Sequence, residues 1–203
     1  MQFEIMGCRI KISFCFILFL TTIMIMDKSG AIIWSMAAAI THELAHVFMM
    51  IVVGNRPKEI NCSLFDINIC DGSRMSGNYK KDILILIAGP TSNFFMGLMY
   101  YSLYIVTREE FLLIPCIENV VIGALNSLPI ASLDGGQLLY IIVSTKINVQ
   151  MAERVVQIVS IIFILPLFIL GFYMLLQSKY NFSMLLVASY LIFIVISKTD
   201  KVY

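Results

Sequence analysis

Charge is what this chain has least of. Asp, Glu, Lys and Arg make up 13 % of its 203 residues, about half the share found in a soluble domain. That scarcity excludes an ordinary water-facing surface. With 60 % apolar residues and a mean hydropathy of +0.90, the chain has to be read against a bilayer, where a spanning helix takes about 20 apolar residues. The net charge is only +1, and no basic patch is dense enough to neutralise a phosphate backbone, which excludes nucleic acid as a partner. The five cysteines (Cys8, Cys15, Cys62, Cys70 and Cys116) contain no C-x-x-C pair. Cys8, Cys15 and Cys116 read as small apolar residues in or near spans, while Cys62 and Cys70 share a polar loop in which they could pair or bind metal. No small-x-small cleavage site follows the apolar run Phe14 to Met26, so Arg9 and Lys11 ahead of it introduce a retained first span, not a signal peptide. Internal repeats, low-complexity segments and a second soluble domain are also lacking. The 13 methionines are scattered as packing and lipid-facing residues, with no copper relay.

What is present is a series of apolar runs. Hydropathy predicts an all-α integral membrane protein with six transmembrane helices, at about 10–26, 31–53, 82–106, 111–130, 152–176 and 182–197. The chain reads as one polytopic domain, 1–203. Of its 14 basic residues, all but Lys28, Arg108 and Lys179 fall at the termini and in the second and fourth loops. The positive-inside rule then puts both termini in the cytoplasm. Weak alternation in the second loop (Ile60, Cys62 and Leu64, then Phe65, Ile67 and Ile69) predicts a small β-hairpin at the membrane surface. Its exposed edge would suit an added peptide strand. Trp34, Tyr100, Tyr101, Tyr104, Tyr173, Tyr180 and Tyr190 often fall near span ends, as an interfacial belt requires.

The only two histidines stand four apart within a predicted span, in Thr41-His42-Glu43-Leu44-Ala45-His46. On a helix, positions i and i+4 point the same way, so His42 and His46 can offer two imidazole nitrogens to one metal ion, with Glu43 in reach of water there. A catalytic zinc takes a third protein ligand and leaves one position open. Most acids lie in polar loops or near span ends. Asp134 differs, following Asn126-Ser127-Leu128-Pro129-Ile130-Ala131-Ser132-Leu133 and preceding Gly135-Gly136. Pro129 interrupts a helix, the glycine pair loosens the backbone after the acid, and such a break at membrane depth must line a cavity or be buried in protein. The acid either aims at a metal on a neighbouring helix or caps the helix that follows it.

These residues closely resemble the motifs of the site-2 protease family of intramembrane zinc metalloproteases. The family carries H-E-x-x-H on one span and an N-x-x-P-x-x-x-x-D-G type motif on a later one, matched here by His42 to His46 and by Asn126 to Gly135. Ala88-Gly89-Pro90-Thr91-Ser92-Asn93 is similar to its A-G-P-x-x-N signature. The six-span layout looks most like the compact branch exemplified by the stage IV sporulation protease that processes a membrane-tethered pro-sigma factor.

The resemblance implies Zn2+ held by His42, His46 and Asp134, with Glu43 as general base and Asn126 and Asn93 in a substrate-binding role. It further implies a bacterial cytoplasmic-type membrane, a membrane-tethered protein substrate and, as a further partner class, membrane inhibitor proteins. Ser132 departs from the family, many of whose members have proline there. With six residues after Ser197, no nucleotide-sensing CBS domain is expected, and no PDZ domain is inserted. Two other function classes remain open from the residues themselves: an ion transporter or channel, in which intramembrane His, Glu and Asp mark a path, and an inactive scaffold that binds substrate without cutting it.

Overall fold

The computed structural model describes residues 2–5, 8–12, 21, 27, 30–55, 59–62, 67–70, 78–177 and 189–192. Along the chain these give β1 (Gln2–Ile5), β2 (Cys8–Ile12), α1 (Ala31–Val52), β3 (Glu59–Cys62), β4 (Ile67–Cys70) and α2 (Tyr79–Thr107). A 3-10 turn at Glu110–Leu112 leads into α3 (Leu113–Asn126), followed by α4 (Asp134–Ser144) and α5 (Val149–Gln177). The chain divides into two compact units, Met1–Ala124 and Leu125–Tyr203.

Three of these helices are long and apolar enough to cross a membrane: Ala31–Val52, Tyr79–Thr107 and, within α5, Val149–Tyr173. They correspond to the spans expected at 31–53, 82–106 and 152–176. The span expected at 111–130 is not one continuous helix. Its helical part, α3, has 14 residues, about 21 Å at 1.5 Å per residue, which falls short of a hydrocarbon core of about 30 Å. The helix stops because the chain leaves helical geometry from Ser127 onward, ahead of Pro129. The spans expected at 10–26 and 182–197 lie mostly outside the described residues, and Ile10 to Ile12 belong to β2.

In the first unit the strands make one sheet in the order β1-β2-β3-β4. The outer pairs are antiparallel and β2 pairs with β3 in parallel, Ile10 beside Ile60. A parallel pair needs a long crossover, and α1 lies within it. The β3–β4 register sets Cys62 against Ile67 and Cys70 against Glu59. Three register steps at about 3.4 Å each carry the two cysteines beyond the roughly 4.4–6.8 Å Cα separation of a disulfide.

Helices α1 and α2 are fastened at both ends. At the start of α1, Gly30 has no side chain to offer, and Asp27 serves instead: Oδ1 accepts from Gly30 N at 3.1 Å and Oδ2 from Ile32 N at 2.8 Å. The Trp34 ring meets Tyr100, near the end of α2, edge-on at 5.9 Å. At the other end, the Lys81 ammonium donates to the Val53 carbonyl at 2.7 Å, placing a cation at the negative end of the α1 dipole. Between these ties α1 buries one stripe, Ala38, His42, His46 and Met50, while Leu44 and Phe48 face outward. Met50 and Ile85 join Val47, Met49 and Val53 in an apolar cluster at the Lys81 end.

In the second unit α5 buries Ala152, Val156, Ser160 and Ile164, again four residues apart on one face. Ile164 forms a core with Ile130 and Leu191, and Leu128, Ala131 and Leu133 pack around it. The non-helical stretch before α4 is therefore held against apolar side chains. Replacing Asp27 by Ala is expected to lower stability by about 1 kcal/mol, seen as a lower midpoint of thermal unfolding in detergent, with Asp27→Asn retaining most of the loss.

Candidate metal centre

His42 and His46 sit one turn apart on the buried stripe of α1, their rings nearly perpendicular with centroids 4.7 Å apart. Each ring is fixed through Nδ1. His46 Nδ1 donates to the Ile85 carbonyl at 2.7 Å; a carbonyl only accepts, so this nitrogen carries the proton. His42 Nδ1 lies 2.6 Å from Asn93 Oδ1. The Asn93 amide cannot be turned round, because its Nδ2 donates to the Ala38 carbonyl at 3.0 Å and to Asn119 Oδ1 at 3.1 Å. Asn93 Oδ1 therefore faces the ring, and His42 Nδ1 is the donor.

The proton at Nδ1 leaves Nε2 of each neutral ring as the lone-pair nitrogen, and the two Nε2 atoms are 3.1 Å apart. Two nitrogen ligands at about 2.0–2.1 Å on a tetrahedral ion stand about 3.3–3.4 Å apart. The histidine pair already has nearly that spacing. Two lone pairs at such a distance repel each other unless a positive charge lies between them, so the arrangement fits a cation.

The A-G-P-x-x-N segment of α2 explains itself at this point. A Cβ on Gly89 would overlap Nε2 of His46 and come within 2.7 Å of Cε1 of His42, so only glycine leaves room for both rings. One turn later Asn93, fully buried, supplies the acceptor for His42. Helix α3 closes on α2 where side chains are missing: a Cβ on Gly123 would lie 3.1 Å from Asn93 Cβ, and one on Gly97 would lie 2.9 Å from Val120 Cγ2. That approach delivers Asn119, whose own Nδ2 donates to the Pro115 carbonyl at 2.8 Å. The chain of contacts from Pro115 through Asn119 and Asn93 to His42 fixes the tautomer of the ring.

Asp134 is buried and is the first residue of α4. The N-cap of that helix is Leu133, which makes no side-chain cap hydrogen bond. Gly135 and Gly136 do not loosen the backbone; both are helical, and their glycine identity serves close approach. A Cβ on Gly135 would overlap the carbonyl oxygen of Ser127, and one on Gly136 the carbonyl of Ile130. The first turn of α4 rests directly on the non-helical backbone before it. Asn126 ends α3 and is half-buried, and Glu43 is half-buried on α1 with Oε2 shielded from solvent. His42, His46 and Asp134 are all buried, and each carries a side chain able to ligate a metal ion.

The chain is similar to the solved structure of the site-2 protease from Methanocaldococcus jannaschii, with a TM-score of 0.68 and 22 % identity over 97 % of this chain and 94 % of that one. The two share a fold. No protein-family model and no curated protein matches the sequence.

Two contributors to the support of the histidine pair were not singled out from sequence. Asn119 is a lone amide within an apolar run, a residue type that finds an interhelical partner in lipid. The Ile85 carbonyl left no signal, since any residue supplies one. Asn93 itself commits both amide protons and accepts from His42, which makes it a support for the imidazole. Gly89→Ala is expected to displace the rings and lower metal content from stoichiometric to near zero at unchanged helical content, measured by elemental analysis and circular dichroism. Asn93→Leu is expected to weaken metal binding about 10–100-fold in a chelator competition.

Proposed function

We propose that this protein is an intramembrane zinc metalloprotease that hydrolyses a peptide bond in a membrane-tethered protein. One observation carries the reading: two imidazoles locked through Nδ1 bring their Nε2 atoms within 3.1 Å of each other, and we assign the buried Asp134 carboxylate as their third donor. The histidine pair lies on a helix apolar enough to cross a membrane, Ala31–Val52. Two imidazoles and one carboxylate, with a fourth position for water, are the ligands of a catalytic zinc in other hydrolases.

Bound zinc supplies Lewis-acid polarisation of the scissile carbonyl and makes water at the site more acidic. The rest of the work belongs to the chain. Glu43 accepts a proton from the attacking water as oxygen bonds to the carbonyl carbon, then delivers it to the amine nitrogen as the C–N bond breaks. Asn93 and the Ile85 carbonyl keep both rings in the tautomer that the metal needs. Asn126, at the end of α3 and next to the break, holds the substrate backbone. A helical substrate hides its carbonyls, so the segment to be cut must open locally. The sheet has β1 and β4 at its edges, and an extended segment adds to such an edge through main-chain hydrogen bonds.

Transport of metal is the weaker reading, because a transport path is a relay of ionisable groups and the described residues contain one metal-binding group. For the substrate we favour a membrane-tethered pro-sigma factor, on the motif resemblance alone. Co-expression with tethered pro-sigma and anti-sigma factors, followed by fragment sizing, decides this point.

Glu43→Gln is expected to retain zinc and to lower cleavage of a tethered substrate by at least about 10²-fold. Unchanged cleavage would remove Glu43 from its role. Asp134→Ala is expected to lose both zinc and cleavage, measured on the same purified protein.

A further inference from the structure

We propose that Ser160, in the middle of the apolar helix α5, is a positioning residue for the segment that presents Asp134. The proposal rests on the zinc-protease reading and adds to it a residue far along the chain. Ser160 is fully buried. Its hydroxyl donates to the Val156 carbonyl at 2.6 Å, which turns an oxygen lone pair outward, and that oxygen accepts from the Ala131 backbone N–H at 2.8 Å.

A serine in a membrane helix needs no second partner, since bonding back to residue i−4 satisfies its proton. The second bond is directed at an amide that helix geometry does not serve. Ala131 lies between α3 and α4, where a backbone N–H cut off from water must find an acceptor. One turn further along α5, Ile164 packs against Ile130. Ser160 and Ile164, on one face of α5, thus grip two consecutive residues of the break, one by a hydrogen bond and one by apolar contact.

The grip is passed to Asp134 through short steps. Leu133 N–H bonds to the Ile130 carbonyl at 2.8 Å, and Gly136 and Gln137 N–H bond to the Leu133 carbonyl at 3.1 Å each. Gly136 rests on the Ile130 carbonyl with no room for a Cβ. The start of α4 is therefore built on the Ile130–Ala131 pair, and its first residue is the carboxylate.

The test uses the full chain in detergent, as wild type, Ser160→Ala and Ser160→Thr. Ser160→Ala is expected to bind zinc about tenfold more weakly in a chelator competition and to shift the visible absorption of the Co2+-loaded protein. Ser160→Thr, which keeps the hydroxyl, should restore both. Without metal, Ser160→Ala should speed hydrogen exchange at the Ala131 amide about fivefold, the loss expected for one net hydrogen bond. Wild-type zinc affinity and an unchanged Co2+ spectrum in Ser160→Ala would overturn the proposal, even if the variant melts earlier. If Ser160→Ala does not fold, Ser160→Cys, of similar volume and a weaker acceptor, carries the same readouts. Wild-type protein that binds no zinc would end the protease reading separately. Exchange at Ala131 then decides whether Ser160 holds the segment: unchanged exchange would overturn that too.

Discussion

The structure depends on where two protons sit. In a low-dielectric interior an imidazole can keep its N–H on either nitrogen, and only one choice leaves a lone pair facing a metal. The Ile85 carbonyl makes that choice for His46, and the Asn93 amide makes it for His42. Because a carbonyl cannot donate and the Asn93 amide is held by two acceptors of its own, neither ring can be served by the other tautomer. An ion site in lipid is costly to prepare. Here the orientation of the two rings is set by neutral groups, the Ile85 carbonyl and the Asn93 amide.

Those bonds set the spacing of the helices. Asn93 reaches His42 only if α2 lies close against α1, which requires Gly89 to give up a side chain, and Asn119 reaches Asn93 only because Gly123 does the same between α3 and α2. Apolar packing in lipid has little hydrophobic driving force, so close backbone approach and interhelical hydrogen bonds take over. The ends add their own constraints through Trp34 with Tyr100 and Lys81 with Val53. In the second unit the same economy recurs, with Gly135 and Gly136 making room for backbone.

Much of this was legible because rare residues stand out in an apolar chain. With two histidines in 203 residues, the i, i+4 pair was visible at once, as was the acid beside Pro129 and the glycines. Long apolar runs located α1, α2 and α5. The run at 111–130 misled, because hydropathy registers how apolar a stretch is and not whether its backbone stays helical through Ser127 to Leu133. The role of the glycine pair was also misread: close approach to a carbonyl is a tertiary property, and the same residue type serves flexibility elsewhere. Ser160 and Asn119 were present as isolated polar residues in spans, but their partners, Ala131 and Asn93, are 29 and 26 positions away, and no local pattern links them.

The pairing of Ile10 with Ile60 bears on how the chain is made. Synthesis proceeds from the N-terminus, so β1 and β2 leave the ribosome well before Glu59–Cys62 exists. Until then one side of β2 has bare backbone donors and acceptors, a template for any passing strand. The whole of α1 has to be translated during that wait. The nascent protein therefore has a vulnerable interval, closed only when β3 docks, and the slow arrival of a distant strand is the kind of delay that favours misassembly.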